Sequence, residues 1–301
     1  MRPRNLILTL TFALCALTGF EPVRAENLIP NSTFQSNIAG WSKNVLGTHK
    51  ISWAAQDERG GPLSGSLEVS GLTPHLNTST FSDCLAVTPG DTLTFGTSIT
   101  ADGGGSGQAR ISIWFFSDLT CSGSSDAVIP LLRTFFPVSN WGASQGTAQV
   151  PDDAIRAFVV LTVNGGAEPP DAVYFDNVFV YKGATCVGTD TVACLNKDRF
   201  RLTATWRKPD DTHGWARVVE LTDDSAYLWF FQPTNIETVV KVLDACSFAD
   251  RFWVFGAGLT NVKVDVEVTD TVTGETWSHA NPLGQAFLPV QDTAAFETCS
   301  P

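Results

Sequence analysis

The sequence predicts an all-β protein built from antiparallel β-sandwiches or jelly rolls, and two observations lead to this fold class. Almost every periodic segment alternates apolar and polar residues or runs apolar over five to ten positions, as in LTFGTSIT, ARISIWFF, RFRLTATW and NVKVDVEVTD. Turn sequences such as PGD, GGGSG, NGG and KPDD separate these segments. The nearest helix candidate, Asn235 to Asp244, has a β-branched VVKV centre that favours a strand. Short strands at this spacing indicate stacked antiparallel sheets.

The first element, residues 1–25, is predicted to be a secretory signal peptide. Arginines precede an apolar run from Leu6 to Leu17, and Val23-Arg24-Ala25 supplies a small-residue exit. The run is shorter than the roughly 20 residues that a membrane-spanning helix needs. We therefore expect a secreted or periplasmic/extracellular protein without membrane insertion.

The rest of the chain, about 276 residues, is more than one typical core and predicts two domains. The seam lies after Tyr181, where an aromatic strand ends and the polar stretch CVGTDTVAC precedes new alternating strands from Arg199. The predicted domains are residues 26–182 and 183–301.

Charge limits the partners. After removal of the signal peptide, 16 basic and 30 acidic residues leave a formal net charge of −14. Nucleic acid and anionic membranes are excluded as partners, because like charges repel and no Lys/Arg cluster is present. A solvated surface explains most of this charge.

Six cysteines remain after cleavage, and an even number in an oxidising compartment predicts disulfides among fifteen possible pairings. Their positions favour Cys84–Cys121 in the first domain. For the second domain we expect Cys186–Cys299 and Cys194–Cys246. Zinc is the weaker alternative, because no CxxC pair exists and the four histidines are scattered.

The first domain resembles the jelly rolls of secreted carbohydrate-binding modules of the CenC-like, galactose-binding-like type. The resemblance is carried, in order, by ENLIPNSTFQSNIAGWS, GPLSGSLEVSG, CLAVTPGDTLTFG, VPDDAIRAFVVLTV and VYFDNVFVY. It implies a jelly roll in which residues 27–34 lie beside residues 174–181, so that pairing of the terminal strands closes the sheet.

The same resemblance implies a structural calcium site at the acid of the closing strand, Asp176. The opening acid of the family is replaced here by Gln35, whose amide offers only a neutral oxygen. The alternative is that backbone N–H groups or a hydroxyl satisfy a buried Asp176 without metal. We expect no other cofactor.

Sugar recognition in such modules depends on aromatic faces and nearby polar side chains. Trp41 and Trp141 occupy positions that the family often fills, so we expect them in the core. Trp53 and Trp114 are the binding candidates. Alternation in ARISIWFF places Arg110 with Trp114 on the face opposite Ile111, Ile113 and Phe115, although burial is the alternative for each tryptophan.

The second domain resembles an uncharacterised module of exported bacterial proteins, and this resemblance implies no activity. RFRLTATW, YLWFFQPTNIETVVKVLDAC, FWVFGAGLTNVKVDVEVTDT and NPLGQAFLPVQDTAAF carry it. The residues predict a disulfide-stapled sandwich, Ig-like or similar. In NVKVDVEV the four valines from Val262 to Val268 are predicted to face one way, toward the core, and the charged residues between them to face water. The sequence from Val272 to Glu275 predicts a hairpin turn.

Catalysis finds no support in the sequence. Gly142 to Gly146 fits G-x-S-x-G, but that pattern requires a strand-turn-helix in a parallel sheet. Three adjacent acid pairs (Asp152-Asp153, Asp210-Asp211 and Asp223-Asp224) lie in turn-like sequence and predict solvated loops.

The sequence thus favours a secreted, non-catalytic protein that binds a polysaccharide or cell-surface glycan through the first domain. The alternative is a structural or adhesive envelope protein without a small ligand, and it requires Trp53 and Trp114 to be buried. A hydrolase, the third interpretation, needs a cleft of titratable groups that the sequence does not show.

Overall fold

The computed structural model describes residues 27–44, 47–58, 64–123, 127–135, 140–183 and 185–299. The predicted signal peptide lies outside these residues. Apart from one short helix, the regular secondary structure of the described chain is antiparallel sheet, as expected, and the strands within residues 41–182 and 193–296 form separate pairs of sheets.

The N-terminal sandwich is a jelly roll of two stacked sheets, and the chain crosses repeatedly from one sheet to the other after one or two strands. Sheet I has the order β1-β4-β10-β7-β8 with β5 beside β10, and sheet II has the order β2-β3-β11-β6-β9. The strands are β1 (Trp41–Lys43), β2 (Lys50–Ala54), β3 (Ser66–Ser70), β4 (Asn77–Ser82), β5 (Leu85–Ala86), β6 (Thr92–Asp102), β7 (Gln108–Phe116), β8 (Ala127–Phe135), β9 (Gly142–Gln149), β10 (Arg156–Asn164) and β11 (Ala172–Lys182).

The core of this sandwich lies between the inner faces of the two sheets. Ile111, Ile113 and Phe115 of β7 are fully buried there, facing Leu93 and Phe95 of β6. Their alternate neighbours on β7 therefore point out of sheet I. Trp41 packs in this core and Trp141 in a smaller cluster with Tyr174, so both tryptophans are core residues as expected.

The opening segment lies against the closing strand, as expected from the resemblance. Leu28 N donates to Val180 O (2.9 Å), and Val178 N donates to Ser32 O (2.9 Å). The side chain of Asn27 adds bonds to Val178 O and from Val180 N. These contacts tie the start of the described chain to the last strand of the sandwich.

Strict alternation fails in the closing strand. The register between β11 and β6 shifts between Asp176 and Phe179, and Asn177 adopts a left-handed φ of 47°. The extra residue of this bulge puts Phe175 and Val178 on the core side and Asp176 on the other side. Strict alternation along DAVYFDNVFVY predicts that Asp176 shares a face with Val178 and Val180, and the bulge makes that prediction wrong.

The C-terminal sandwich also has two antiparallel sheets. Sheet III has the order β12-β13-β19-β20 with β14 beside β13, and sheet IV has the order β15-β16-β17-β18-β21. The elements are β12 (Ala193–Leu195), β13 (Phe200–Arg207), β14 (His213–Trp215), β15 (Arg217–Thr222), β16 (Ser225–Trp229), β17 (Thr238–Asp244), α1 (Cys246–Ala249), β18 (Phe252–Gly258), β19 (Lys263–Asp270), β20 (Thr276–Asn281) and β21 (Val290–Phe296).

Sequence patterns locate several of these elements. The ambiguous segment from Asn235 contains strand β17, and Val264, Val266 and Val268 of β19 are buried between the sheets as expected. The predicted turn joins β19 to β20, with Gly274 N donating to Asp270 O (2.8 Å) at a φ of +80°. That φ suits glycine because it has no Cβ.

Three disulfides join Cys84 to Cys121, Cys186 to Cys194, and Cys246 to Cys299. The first is the predicted pair. The predictions Cys186–Cys299 and Cys194–Cys246 are wrong, and strand order explains why. β17 and β21 both flank β18, so the cysteines that follow them, Cys246 and Cys299, come within 5.5 Å between Cα atoms.

The other pair closes a short loop before and into β12. A backbone bridge between Thr189 and Val192 folds the predicted seam back on itself, and this brings Cys186 and Cys194 within 5.5 Å between Cα atoms. Such bonds are typical of oxidising compartments. The described part of the chain contains no helix long and apolar enough to cross a bilayer.

The two sandwiches meet along β9. Asn140 exchanges two hydrogen bonds with the backbone of Trp215, both 2.8 Å. Gln145 does the same with Val187, at 2.8 and 2.9 Å. The Trp215 indole lies against Gly142, where a Cβ atom would approach its Nε1 to 1.8 Å. Side-chain amides thus pair with the backbone much as a neighbouring strand would.

Candidate functional site

The outer face of sheet I carries one aromatic and one polar half across its three central strands. The paired strands β4, β10 and β7 align their outward side chains in rows. Each row is given in the order β4, β10, β7. The polar half has the rows Asn77, Asn164, Gln108 and Ser79, Thr162, Arg110. The aromatic half has the row Phe81, Val160, Ser112, followed by the β10–β7 pairs Phe158, Trp114 and Arg156, Phe116. A ligand lying along these strands would therefore meet both kinds of surface.

The aromatic half is a packed cluster of four rings, Phe81, Trp114, Phe116 and Phe158, which we call the sheet I aromatic cluster. The Trp114 and Phe158 rings stack at 5.7 Å and 30°. Phe81 stands edge-on to both, at 6.3 Å from Trp114 and 5.4 Å from Phe158. Phe116 packs on Phe158 at 4.8 Å. These mutual contacts hold the rings in fixed orientations, and Phe81, Trp114 and Phe158 remain partly accessible.

Three buried polar atoms on this face, two in the polar half and one on Trp114, lack hydrogen-bond partners among the described residues. Gln108 Oε1, Arg110 Nε and Trp114 Nε1 are buried and have no hydrogen-bond partner among the described residues. The neighbouring row is internally paired, with 3.3 Å between the hydroxyls of Ser79 and Thr162. An unmet buried polar group costs about 1–3 kcal/mol. These three atoms are themselves shielded, whereas the side chains of Gln108 and Arg110 as a whole are partly accessible, so the outer face of sheet I presents polar side chains beside the aromatic rings.

The predicted binding residues divide between two places. Trp114 and Arg110 lie on the same strand and the same face, as alternation predicts. Trp53 lies on β2, in sheet II, and is 39% exposed. Its Nε1 donates to Phe34 O (2.7 Å), which ties the indole to the opening segment. Trp53 therefore does not join the sheet I aromatic cluster.

Phe81 and Phe158 are the residues that sequence reasoning missed. Both occur inside apolar runs, TSTFSD and AFVVLTV, where burial is the default interpretation. The available signal was alternation: Ala157, Val159 and Leu161 are buried in the core, so Phe158 points outward. Only the pairing of β10 with β7 and β4 places these rings beside Trp114.

A second group of interest surrounds Asp176. Its carboxylate is 1% exposed and accepts hydrogen bonds from Glu58 N (3.2 Å) and Asn177 N (2.6 Å). The side chain of Asn177 donates in turn to Glu58 Oε2. Burial, opposed by the two amide hydrogen bonds and reinforced by the charge of Glu58, raises the pKa of Asp176 to about 8. Burial likewise raises the pKa of Glu58.

The side chains near Asp176 differ from those predicted for the calcium site. Gln35 is exposed, and no hydrogen bond joins it to Asp176 within the described ranges; the acids that approach Asp176 are Glu58 and its neighbour Asp57. Glu58 is buried, and its carboxylate interacts with the Ser98 hydroxyl and the Asn177 amide. Two buried carboxylates suit a hard cation, but no three His, Cys, Asp or Glu side chains of the described residues are grouped for a metal. Backbone oxygens would have to complete the shell.

The G-x-S-x-G pattern lies in β9, an antiparallel strand paired with β6. Ser144 is buried in the middle of that strand, and no strand-turn-helix is formed. Asp152 and Asp153 are exposed in a turn. Neither feature has the geometry of a catalytic group.

Comparison with known proteins gives structural matches only. No protein-family model and no curated protein matches the chain. The enzymatically active domain of bacteriophage CBA120 tailspike protein 4 is similar at 20% identity and a TM-score of 0.42, over 52% of this chain and 21% of that one. The CBM22-1 xylan-binding domain of Paenibacillus barcinonensis Xyn10C is similar at 14% identity and a TM-score of 0.39, over 52% and 95%.

A family 16 carbohydrate-binding module is similar at 18% identity and a TM-score of 0.37, over 51% of this chain and 99% of that one. Each match covers about half of the chain, and the chain spans about a fifth of the tailspike domain. Function is therefore inferred from the side chains of this protein.

Proposed function

We propose that the protein is an exported, non-catalytic glycan-binding protein that holds a neutral polysaccharide on the outer face of sheet I. The observation that carries the proposal is the position of the sheet I aromatic cluster beside the partly accessible side chains of Gln108 and Arg110 on one face. Sugar rings have apolar C–H faces and hydroxyl edges, and these two halves of the surface complement both.

Charge supports a neutral ligand. The chain has an excess of acidic residues, so acidic glycans are repelled at long range. Arg110 supplies a positive charge locally, and a guanidinium also hydrogen-bonds neutral hydroxyls. The three disulfides and the predicted signal peptide support export.

The test is affinity electrophoresis of the full chain in gels that contain xylan, mannan or β-glucan, with pectate as the acidic comparison. We expect at least one neutral polysaccharide to retard the protein, and Trp114→Ala or Phe158→Ala to weaken retardation by about tenfold or more. Trp53→Ala is the matched control and should bind like the wild type.

Thermal unfolding identifies variants that fail to fold, and Arg110→Gln tests the same face without removing a packed ring. The proposal is contradicted if no glycan retards the wild type. It is equally contradicted if folded Trp114→Ala and Arg110→Gln proteins bind normally.

We propose in addition that a calcium ion binds at Asp176 and Glu58, with backbone oxygens as further ligands. Such an ion supplies positive charge to two buried carboxylates and ties β11 to the segment that holds Glu58. Its support is the burial of two carboxylates, Asp176 and Glu58, on segments that are hydrogen-bonded to each other. Addition of calcium to chelator-treated protein should raise the thermal midpoint, and Asp176→Asn should abolish the rise. A thermal midpoint that does not change when calcium is added would contradict the proposed calcium site.

A further inference from the structure

One end of the C-terminal sandwich contains a pocket of about 480 Å³, within the roughly 300–1,000 Å³ range of small-molecule sites. It lies where β16 and β18 end and where β17 and β19 begin, in a different sandwich from the sheet I aromatic cluster. Its lining includes Phe231, Asn235, Glu237, Leu259, Asn261 and Val262. The mixture is half apolar and half hydrogen-bonding.

Glu237 is the unusual residue of the lining, since it is a carboxylate that is only 4% exposed. Within the described chain its side chain accepts a hydrogen bond from Asn235 Nδ2 (2.5 Å). Lys208, whose ammonium lies over the Phe231 ring, is committed to Asp210. A buried carboxylate requires hydrogen-bond donors, and a ligand in the pocket can supply them.

The apolar wall is a fixed aromatic ring. Phe231 is 40% exposed, yet it packs edge-on against Trp206 at 5.0 Å and against Phe230 at 5.9 Å. A ring held this way presents one surface to the pocket without losing rotamer freedom when a ligand arrives. Val262 and Leu259 extend this apolar side.

The loops around the pocket are held in place before any ligand binds. Leu259 N donates to Glu237 O (2.7 Å), and Gly284 N and Phe287 N donate to the carbonyls of Asn261 and Thr260 at 2.8 and 3.1 Å. A Cβ on Gly258 would come within 2.5 Å of Phe287, so the two loops are in close contact. The backbone that carries Glu237 and Asn261 is therefore fixed before a ligand binds.

We infer that this pocket is a second binding site, and that it takes a single neutral sugar unit, such as a chain end or a side branch. A sugar ring offers a C–H face to Phe231, hydroxyl donors to Glu237 and hydroxyl acceptors to the amides of Asn235 and Asn261. Acidic sugars are repelled by Glu237. The site does not depend on the sheet I aromatic cluster, because no residue is shared.

The test uses the full chain and ¹⁵N NMR, titrated with the methyl glycosides of glucose, galactose, xylose and mannose. We expect at least one of them to shift the amide signals of Leu259, Thr260 and Asn261. Phe231→Ala and Glu237→Gln should each weaken that binding by about tenfold or more. Phe248→Ala, an exposed aromatic outside the pocket, is the matched control and should leave the affinity unchanged.

Two further arms distinguish this site from the sheet I surface and from a simple cation site. Trp114→Ala should leave the shifts intact, so failure of the sheet I proposal does not affect this one. Tetramethylammonium serves as a cationic probe, and methyl glucuronide as an acidic one. The inference is overturned if no neutral glycoside shifts these amides, if only tetramethylammonium does, or if folded Glu237→Gln and Phe231→Ala proteins bind as the wild type does.

Discussion

Asp176 illustrates what a single residue contributes here. Its carboxyl is buried beside Glu58, and burial is the main cause of its raised pKa of about 8. An unfolded aspartate ionises near pH 4. Between these two values the folded state retains a proton that the unfolded state has lost, so the free energy of unfolding falls as pH rises.

We predict that the thermal midpoint measured in chelator falls between about pH 5 and pH 8. Over this range the titration of Asp176 lowers the free energy of unfolding by at most about 1.4 kcal/mol per pH unit. Asp176→Asn removes the titrating proton and should flatten the slope, while the Asp153→Asn control, an exposed acid, should retain it. Equal slopes in wild type and Asp176→Asn would contradict the role assigned to Asp176. Differential scanning calorimetry across the pH range is the measurement.

Sequence reasoning reached this residue but not its partner. The closing-strand motif indicates Asp176, and the opening segment does lie beside the strand. Glu58 could not be predicted, because its approach depends on the loop after β2 and on a bulge at Asn177. Neither feature leaves a periodic trace in a single sequence.

At the scale of elements, alternation predicted β7 and β19 well because each buries one face. The same rule correctly predicted that Arg110 and Trp114 share the outward face of β7. It could not bring Phe158 and Phe81 to the same surface, because strand order sets their neighbours and no local pattern encodes it. The disulfide errors have the same origin, since β18 lies between β17 and β21 in space.

Strand β9 provides an element-scale prediction. Gly142→Ala places a methyl group where the Trp215 indole lies, so the contact between the sandwiches must open or distort. We expect a loss of about 1–3 kcal/mol in the free energy of unfolding, with a change in tryptophan fluorescence. Gly188→Ala is the control, because its Cβ would meet nothing nearer than 3.8 Å. Denaturant unfolding with equal midpoints for both variants would contradict the packing described.

The two disulfides of the C-terminal sandwich give a second prediction about stability. The Cys246–Cys299 bond closes a loop of 53 residues and Cys186–Cys194 one of 8. In the chain-entropy account, their removal costs about 4 and about 2.5 kcal/mol respectively. Paired Cys→Ala variants compared by denaturant unfolding should therefore show the larger loss for Cys246 and Cys299. A larger loss for the shorter loop would indicate that contacts between the sandwiches, rather than loop closure, determine the effect.

For the whole molecule, the proposed sites lie in different sandwiches that are joined through β9. The sheet I aromatic cluster is on the outer face of the N-terminal sandwich, and the Glu237 pocket is at one end of the C-terminal sandwich. Asn140 and Gln145 link the two bodies by paired hydrogen bonds.

The fold class and the outward position of Trp114 follow from residue order, whereas the composition of each site follows from topology. Because strand order alone brings Phe81 and Phe158 to Trp114, the proposal that sheet I is the glycan-binding surface needs a direct test. Hydrogen–deuterium exchange of the full chain, with and without the neutral polysaccharide that binds it, is the most direct measurement. The account predicts slowed exchange in β7, β10 and the adjoining part of β4. Binding that leaves these strands unchanged and protects other segments alone would contradict it.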